Sequence, residues 1–234
     1  MLLPIIALGT FGATMLGGAL ALSLRDRLHL ILGFSAGAVI AVAFFDLLPE
    51  ALSLGGGYGG ASILAAAAGG FLLYLLLDRG LLLHHPQEHG APRAHARAGT
   101  LSLHSLLDGL GIGLAFQVSA PVGLVVAAAV VAHDFSDGIN TVSVVVRAGG
   151  QYRRAMRWLM VDAIAPVVGI AAASFFSLST AHLGLVLAVF GGFFLYIGAS
   201  DLIPESHHAH PTFWTTLMTL VGAAVLFAAV HFAS

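Results

Sequence analysis

Histidines and carboxylates stand one helical turn apart at two places in this chain. His104 pairs with Asp108, and His133 with Asp137, the second pair enclosing Asp134. Residues at i and i+4 share a helix face, so each pair can offer an imidazole nitrogen and a carboxylate oxygen to one point. That donor mixture suits Zn²⁺ and other divalent first-row metals, whereas oxygen-only sets suit Mg²⁺ or Ca²⁺. A further carboxylate, Asp162, lies four residues before Pro166. A proline frees the carbonyl at i−4 from the helical ladder, here that of Asp162 itself, which would make a cation-coordinating corner. Two histidines and four carboxylates on three segments could hold one metal ion or two close together. The chain has no cysteine, which excludes thiolate zinc sites, disulfides and a cysteine nucleophile.

The segments that must position these groups are apolar. Of 234 residues only 9% are charged and 59% are hydrophobic, with a mean hydropathy of +0.97. A soluble domain carries about 25% charged residues, so a polytopic membrane protein is expected, and the net charge of −2 gives no nucleic-acid footprint. Eight apolar stretches of helix-spanning length run over 2–24, 28–54, 60–83, 100–118, 121–147, 153–178, 182–205 and 211–233. No basic residue precedes the first, whereas Arg25 and Arg27 follow it. That order predicts an uncleaved span with its N-terminus outside. All nine basic residues are arginines, and each falls on or beside a connection 1–2, 3–4 or 5–6. By the excess of basic residues in cytoplasmic loops, both termini are expected outside a cell (inner) membrane.

Of the eleven acids, Asp26, Asp78 and Glu88 sit with the arginines at the cytoplasmic face, and the other eight lie deeper in the spans: Asp46, Glu50, Asp108, Asp134, Asp137, Asp162, Asp201 and Glu205. An ionised carboxylate at a helix centre costs about 2.5–3.5 kcal/mol on insertion scales, and no arginine lies at their depth. Such a set implies bound cations, protonation or a water-filled cavity. Four of these acids belong to a repeat. A shift of 155 residues superposes Asp46-Leu47-Leu48-Pro49-Glu50 on Asp201-Leu202-Ile203-Pro204-Glu205, and Gly37 on Gly192. The second and seventh spans run in opposite directions, so the repeat is inverted, as in alternating-access transporters.

At these motifs the sequence resembles the ZIP (Zrt-, Irt-like protein) family of divalent metal transporters, bacterial type. His104-Ser105-Leu106-Leu107-Asp108-Gly109 is similar to that family's H-N-x-P-E-G, and His133-Asp134-Phe135-Ser136-Asp137-Gly138 to its following motif. The resemblance implies an all-α membrane protein of eight transmembrane helices, with an inverted repeat relating helices 1–3 and 6–8 around helices 4–5. Residues 1–234 would form a single transporter domain. It further implies a transport site of His104, Asp108, His133 and Asp137, with Asp134 and Asp162 helping to bind a second metal that Asp108 and Asp137 would bridge. Asp46 and Glu50 would line the entrance, and Asp201, Glu205 and His207 the exit. The departures are Ser105 for asparagine, Leu107 and Ser136 for prolines, and aspartates at 108 and 137 for glutamates. The first two classes imply a weaker second-site ligand and straighter helices.

The function expected is zinc uptake into the cytoplasm, with iron, manganese and cadmium also open, and with no prosthetic group and no catalysis. An intramembrane zinc hydrolase or a proton-coupled cation exporter are the alternatives. The chain contains neither H-E-x-x-H nor G-x-S-x-G. Residues 84–99, with His84, His85, His89 and His95, read as a cytoplasmic loop. The first and last apolar helices could carry a homodimer interface. Gly109 and Gly138, each directly after a motif carboxylate, are expected to serve close helix packing.

Overall fold

A computed structural model describes residues 2–21, 28–83, 91–149, 151–176, 178–208 and 213–233. Among these residues the fold is helical, with eight helices long and apolar enough to cross a membrane. They are α1 (Leu2–Leu20), α2 (Leu28–Val42, continuing to Leu54), α3 (Gly60–Leu83), α4 (Ala91–Val118), α5 (Ala120–Arg147), α6 (Tyr152–Ala173), α7 (Thr180–Tyr196, continuing to His208) and α8 (Phe213–Ala233). The spans read from the sequence are all present. Some boundaries move: α1 ends at Leu20 and α6 at Ala173, short of the expected 24 and 178, and residues 91–99, expected as loop, form the first turns of α4. His95 there accepts a 2.7 Å hydrogen bond at Nδ1 from the Trp158 indole of α6, which gives the extension a partner. His84, His85 and His89 lie outside the described residues.

The helices pack in two groups. In one, α4 lies along α6 and α5, and α1 covers α5 and α6; in the other, α2 packs on α8 and α7, and α3 on α7. Glycines set the closest approaches. A Cβ on Gly109 would run into the carbonyl oxygen of Pro166, and one on Gly138 into that of Thr14. Both motif glycines therefore serve backbone-to-backbone packing inside the first group.

Helices α2 and α7 run antiparallel. Gly184 lies against Ala51 and Gly55, Gly191 against Leu48, and Gly198 against Ala36 and Ile40. Each helix is interrupted by a π-helical segment, Ala43–Leu47 in α2 and Ile197–Leu202 in α7. The Leu48 N–H donates to the Ala43 carbonyl, and the Ile203 N–H to the Gly198 carbonyl. These bonds correspond position by position at the 155-residue offset. Pro49 and Pro204 follow directly and cannot donate to the ladder, so both copies widen one turn before the proline. By contrast α4 and α5 run through their motifs without interruption, as expected where Leu107 and Ser136 replace prolines.

Candidate metal centre

Four side chains converge where α4 meets α5. His104 and Asp108 come from α4 and His133 and Asp137 from α5, all buried, each offering one ligand atom within 4.8 Å of the others. The His104 Nε2 atom is 3.0 Å from Asp108 Oδ2 and 3.4 Å from Asp137 Oδ2. His133 Nε2 lies 3.0 Å from Asp108 Oδ2 and 3.8 Å from Asp137 Oδ2. The two Nε2 atoms are 3.4 Å apart. Tetrahedral zinc with ligands about 2.0–2.1 Å away sets its donor atoms roughly 3.3–3.4 Å apart. These side chains thus enclose a point that a first-row metal fits.

The remaining ring nitrogens are held from behind. His133 Nδ1 donates to the Ala129 carbonyl at 2.9 Å, one turn back on α5. His104 Nδ1 is 2.7 Å from the Tyr74 hydroxyl of α3. Such partners orient the imidazoles of metal sites so that Nε2 faces the ion. Asp137 Oδ2 is buried without a hydrogen-bond partner among the described residues, facing only the two Nε2 atoms at 3.4 and 3.8 Å, and a buried carboxylate oxygen so placed is costly unless a cation meets it.

The other two expected ligands are placed differently. Asp162 is fully buried, but Ser105 donates to its Oδ1 at 2.8 Å and Thr141 to its Oδ2 at 2.9 Å. Its carboxylate knits α4, α5 and α6 together and stands outside the four-residue cluster. Asp134 also lies outside that cluster. It is fully buried, both its oxygens lack a hydrogen-bond partner among the described residues, and Asp108, Asp137 and Asp162 are within electrostatic reach.

A cavity of about 520 Å³ leads away from the cluster. Its lining begins at His104 and Asp137, passes Tyr74 and Asp201, and ends at the exposed Arg79, Arg97 and Glu205. Two of the expected exit residues, Asp201 and Glu205, therefore lie on it. The third, His207, does not. Its Nδ1 is 3.0 Å from the Ile203 carbonyl and its Nε2 3.2 Å from the Thr216 hydroxyl. Asp46 and Glu50 line a separate pocket of about 280 Å³ with Pro49 and Val125, which shares no lining residue with the larger cavity. Asp46 Oδ2 is buried without a hydrogen-bond partner among the described residues.

Sequence reasoning missed the supporting residues. Tyr74 is a lone tyrosine among the leucines of α3, four residues before Asp78. The Tyr196 hydroxyl donates to Asp78 at 3.0 Å. On the other side, the Ser35 hydroxyl of α2 lies 3.1 Å from that of Ser136 on α5. A buried polar side chain on an apolar helix was the available signal.

Comparison with known proteins gives the same direction. The model of the family described as ZIP Zinc transporter matches residues 98–229, more than half of the chain and all of the cluster. Similar curated proteins include the metal cation symporter ZIP8 of Rattus norvegicus, 30% identical over 104 residues, which are 44% of this chain and 22% of that protein. The metal cation symporter ZIP14 of Bos taurus is 32% identical over 105 residues, 44% of this chain and 21% of its own length. The zinc transporter foi of Drosophila melanogaster is 25% identical over 120 residues, 51% of this chain and 17% of its own length. The match thus spans about a fifth of these relatives. With eight helices long and apolar enough to cross a membrane and a family match over more than half of the chain that covers both histidine–aspartate motifs, this chain belongs to the ZIP zinc transporter family.

Proposed function

We propose that the protein carries divalent metal ions across the membrane, with zinc its first substrate, and imports them into the cytoplasm. The observation that carries this reading is the four-donor cluster of His104, Asp108, His133 and Asp137 at the inner end of a cavity lined by carboxylates. The metal enters past Asp46 and Glu50, exchanges its water for the His/Asp ligands, and leaves past Asp201 and Glu205. The bare oxygens of Asp134 support a second cation beside the first. Placing the arginine-bearing end in the cytoplasm, by the bias of basic residues toward that side, leaves both termini outside and the large cavity facing inward. The antiparallel pairing of α2 with α7 and their matching π-helical segments support an inverted repeat.

Movement between the two helix groups would then close the inner cavity and open the path from Asp46. Repeated carboxylates at both ends favour passage over hydrolysis, which needs one open metal position and an activated water. Direction is tested in proteoliposomes whose protein orientation is scored with single introduced cysteines, since the chain has none of its own. Zinc entering from the side of Asp46 supports import. Zinc moving only from the side of Arg97 refutes it.

A further inference from the structure

One ring of the metal site is held by the opposite helix group. Tyr74 of α3 places its hydroxyl 2.7 Å from His104 Nδ1, and its ring stands edge-on to the imidazole. The tyrosine is buried and packs against Phe193 and Tyr196 of α7. The hydroxyl is therefore fixed by α3 and α7, whereas His104 moves with α4. Tyr74 also lines the large cavity.

We infer that Tyr74 is a positioning residue whose hydrogen bond to His104 reverses direction when His104 binds metal, so that metal occupancy is signalled across the boundary between the two helix groups. This deepens the proposed transport reading and rests on it. A neutral imidazole carries one proton, and the bond at one nitrogen decides the role of the other. When the proton is on Nε2, which faces Asp108 Oδ2 at 3.0 Å, Nδ1 accepts the Tyr74 O–H. When Nε2 gives its lone pair to a metal, the proton is on Nδ1 and donates to the Tyr74 oxygen. The tyrosine O–H then turns toward the cavity. His133 has no such freedom, because its Nδ1 faces the Ala129 carbonyl, which can only accept. One imidazole is preset for metal, and the other adjusts through a partner on the opposite group.

The test uses the purified full chain with Zn²⁺ alone. Tyr74→Phe keeps the ring and its packing and removes only the hydroxyl. Zinc affinity is expected to fall about 10- to 100-fold, the usual loss for a residue supporting a metal ligand. Ultraviolet resonance Raman of the tyrosine ring distinguishes a donating from an accepting hydroxyl. The native-minus-Tyr74→Phe difference should change from donor to acceptor on adding zinc. The summed signal of the four tyrosines in the native protein should change in the same sense without any variant. Unchanged affinity in Tyr74→Phe, or a tyrosine signature indifferent to zinc in a native protein that binds it, overturns the inference alone. A native protein that binds no zinc, or a His104→Ala variant that binds it as tightly as native, overturns the metal-site reading and this inference with it.

Discussion

His104 and His133 bring their Nε2 atoms to 3.4 Å of each other from neighbouring helices, while their Nδ1 atoms are engaged by Tyr74 and by the Ala129 carbonyl. The rings are aimed at a common point by groups behind them, and Asp108 Oδ2 lies 3.0 Å from both Nε2 atoms. Metal affinity is therefore expected to depend on what lies behind the ligands as well as on the ligands.

Acidity should oppose uptake. A ligating imidazole must offer an unprotonated nitrogen and a ligating carboxylate must be ionised. Free imidazole takes up its proton near pH 6.5, so lowering the pH sets protons against metal at His104 and His133. At sub-saturating zinc, the initial uptake rate should fall between pH 7.5 and 5.5. A rate that stays level across this range speaks against histidine ligation.

Asp162 should matter more to the fold than to the first metal. Asp162→Ala strands the buried hydroxyl of Thr141 and leaves that of Ser105 only the Leu101 carbonyl at 3.2 Å, at a cost of about 1–3 kcal/mol for an unsatisfied group. The melting temperature in detergent should drop by several degrees, and zinc affinity should stay within a few-fold of native. A loss above 100-fold with unchanged melting would make Asp162 a ligand.

Gly109→Ala tests the packing that sets the α4 ligands. The added methyl group meets the Pro166 carbonyl, and overpacking of this kind costs about 1–3 kcal/mol. Helices α4 and α6 must separate, which displaces His104 and Asp108 of α4 from their positions beside the α5 ligands. Stability and zinc binding should fall together; a variant with native values for both would show that the contact is not needed.

The two ends should separate kinetically. Asp46→Asn removes a carboxylate from the small pocket, which shares no lining residue with the cavity at the cluster, and should raise the KM for zinc uptake severalfold. Equilibrium binding at the cluster should hold. An equal loss in both would put Asp46 in the binding site itself.

The eight spans were legible because hydrophobic stretches of this length have few other uses, and the i, i+4 pairs because helical periodicity is local. The acids of the repeat were legible from their identity alone. What the sequence hid depends on contacts between distant segments. Nothing near Asp162 in the chain announces Ser105 and Thr141, whose hydroxyls occupy its oxygens. Tyr74 stands out as a lone tyrosine on an apolar helix, but its partner His104 is seen only when α3 is laid beside α4. His207 was placed by its neighbour Glu205, yet two positions along a turning helix carry it to Thr216 and off the cavity. The start of α4 was read as loop because residues 84–99 carry four histidines, two prolines and no apolar period, and its tie to Trp158 is tertiary.

The central claim is that zinc crosses through the His104, Asp108, His133 and Asp137 cluster. The most direct measurement is zinc uptake into proteoliposomes holding equal amounts of native, His104→Ala and Asp137→Ala protein, each first shown to be folded. The account predicts zinc flux with the native chain and at least a tenfold loss in both variants. Native-level flux in either variant would contradict it.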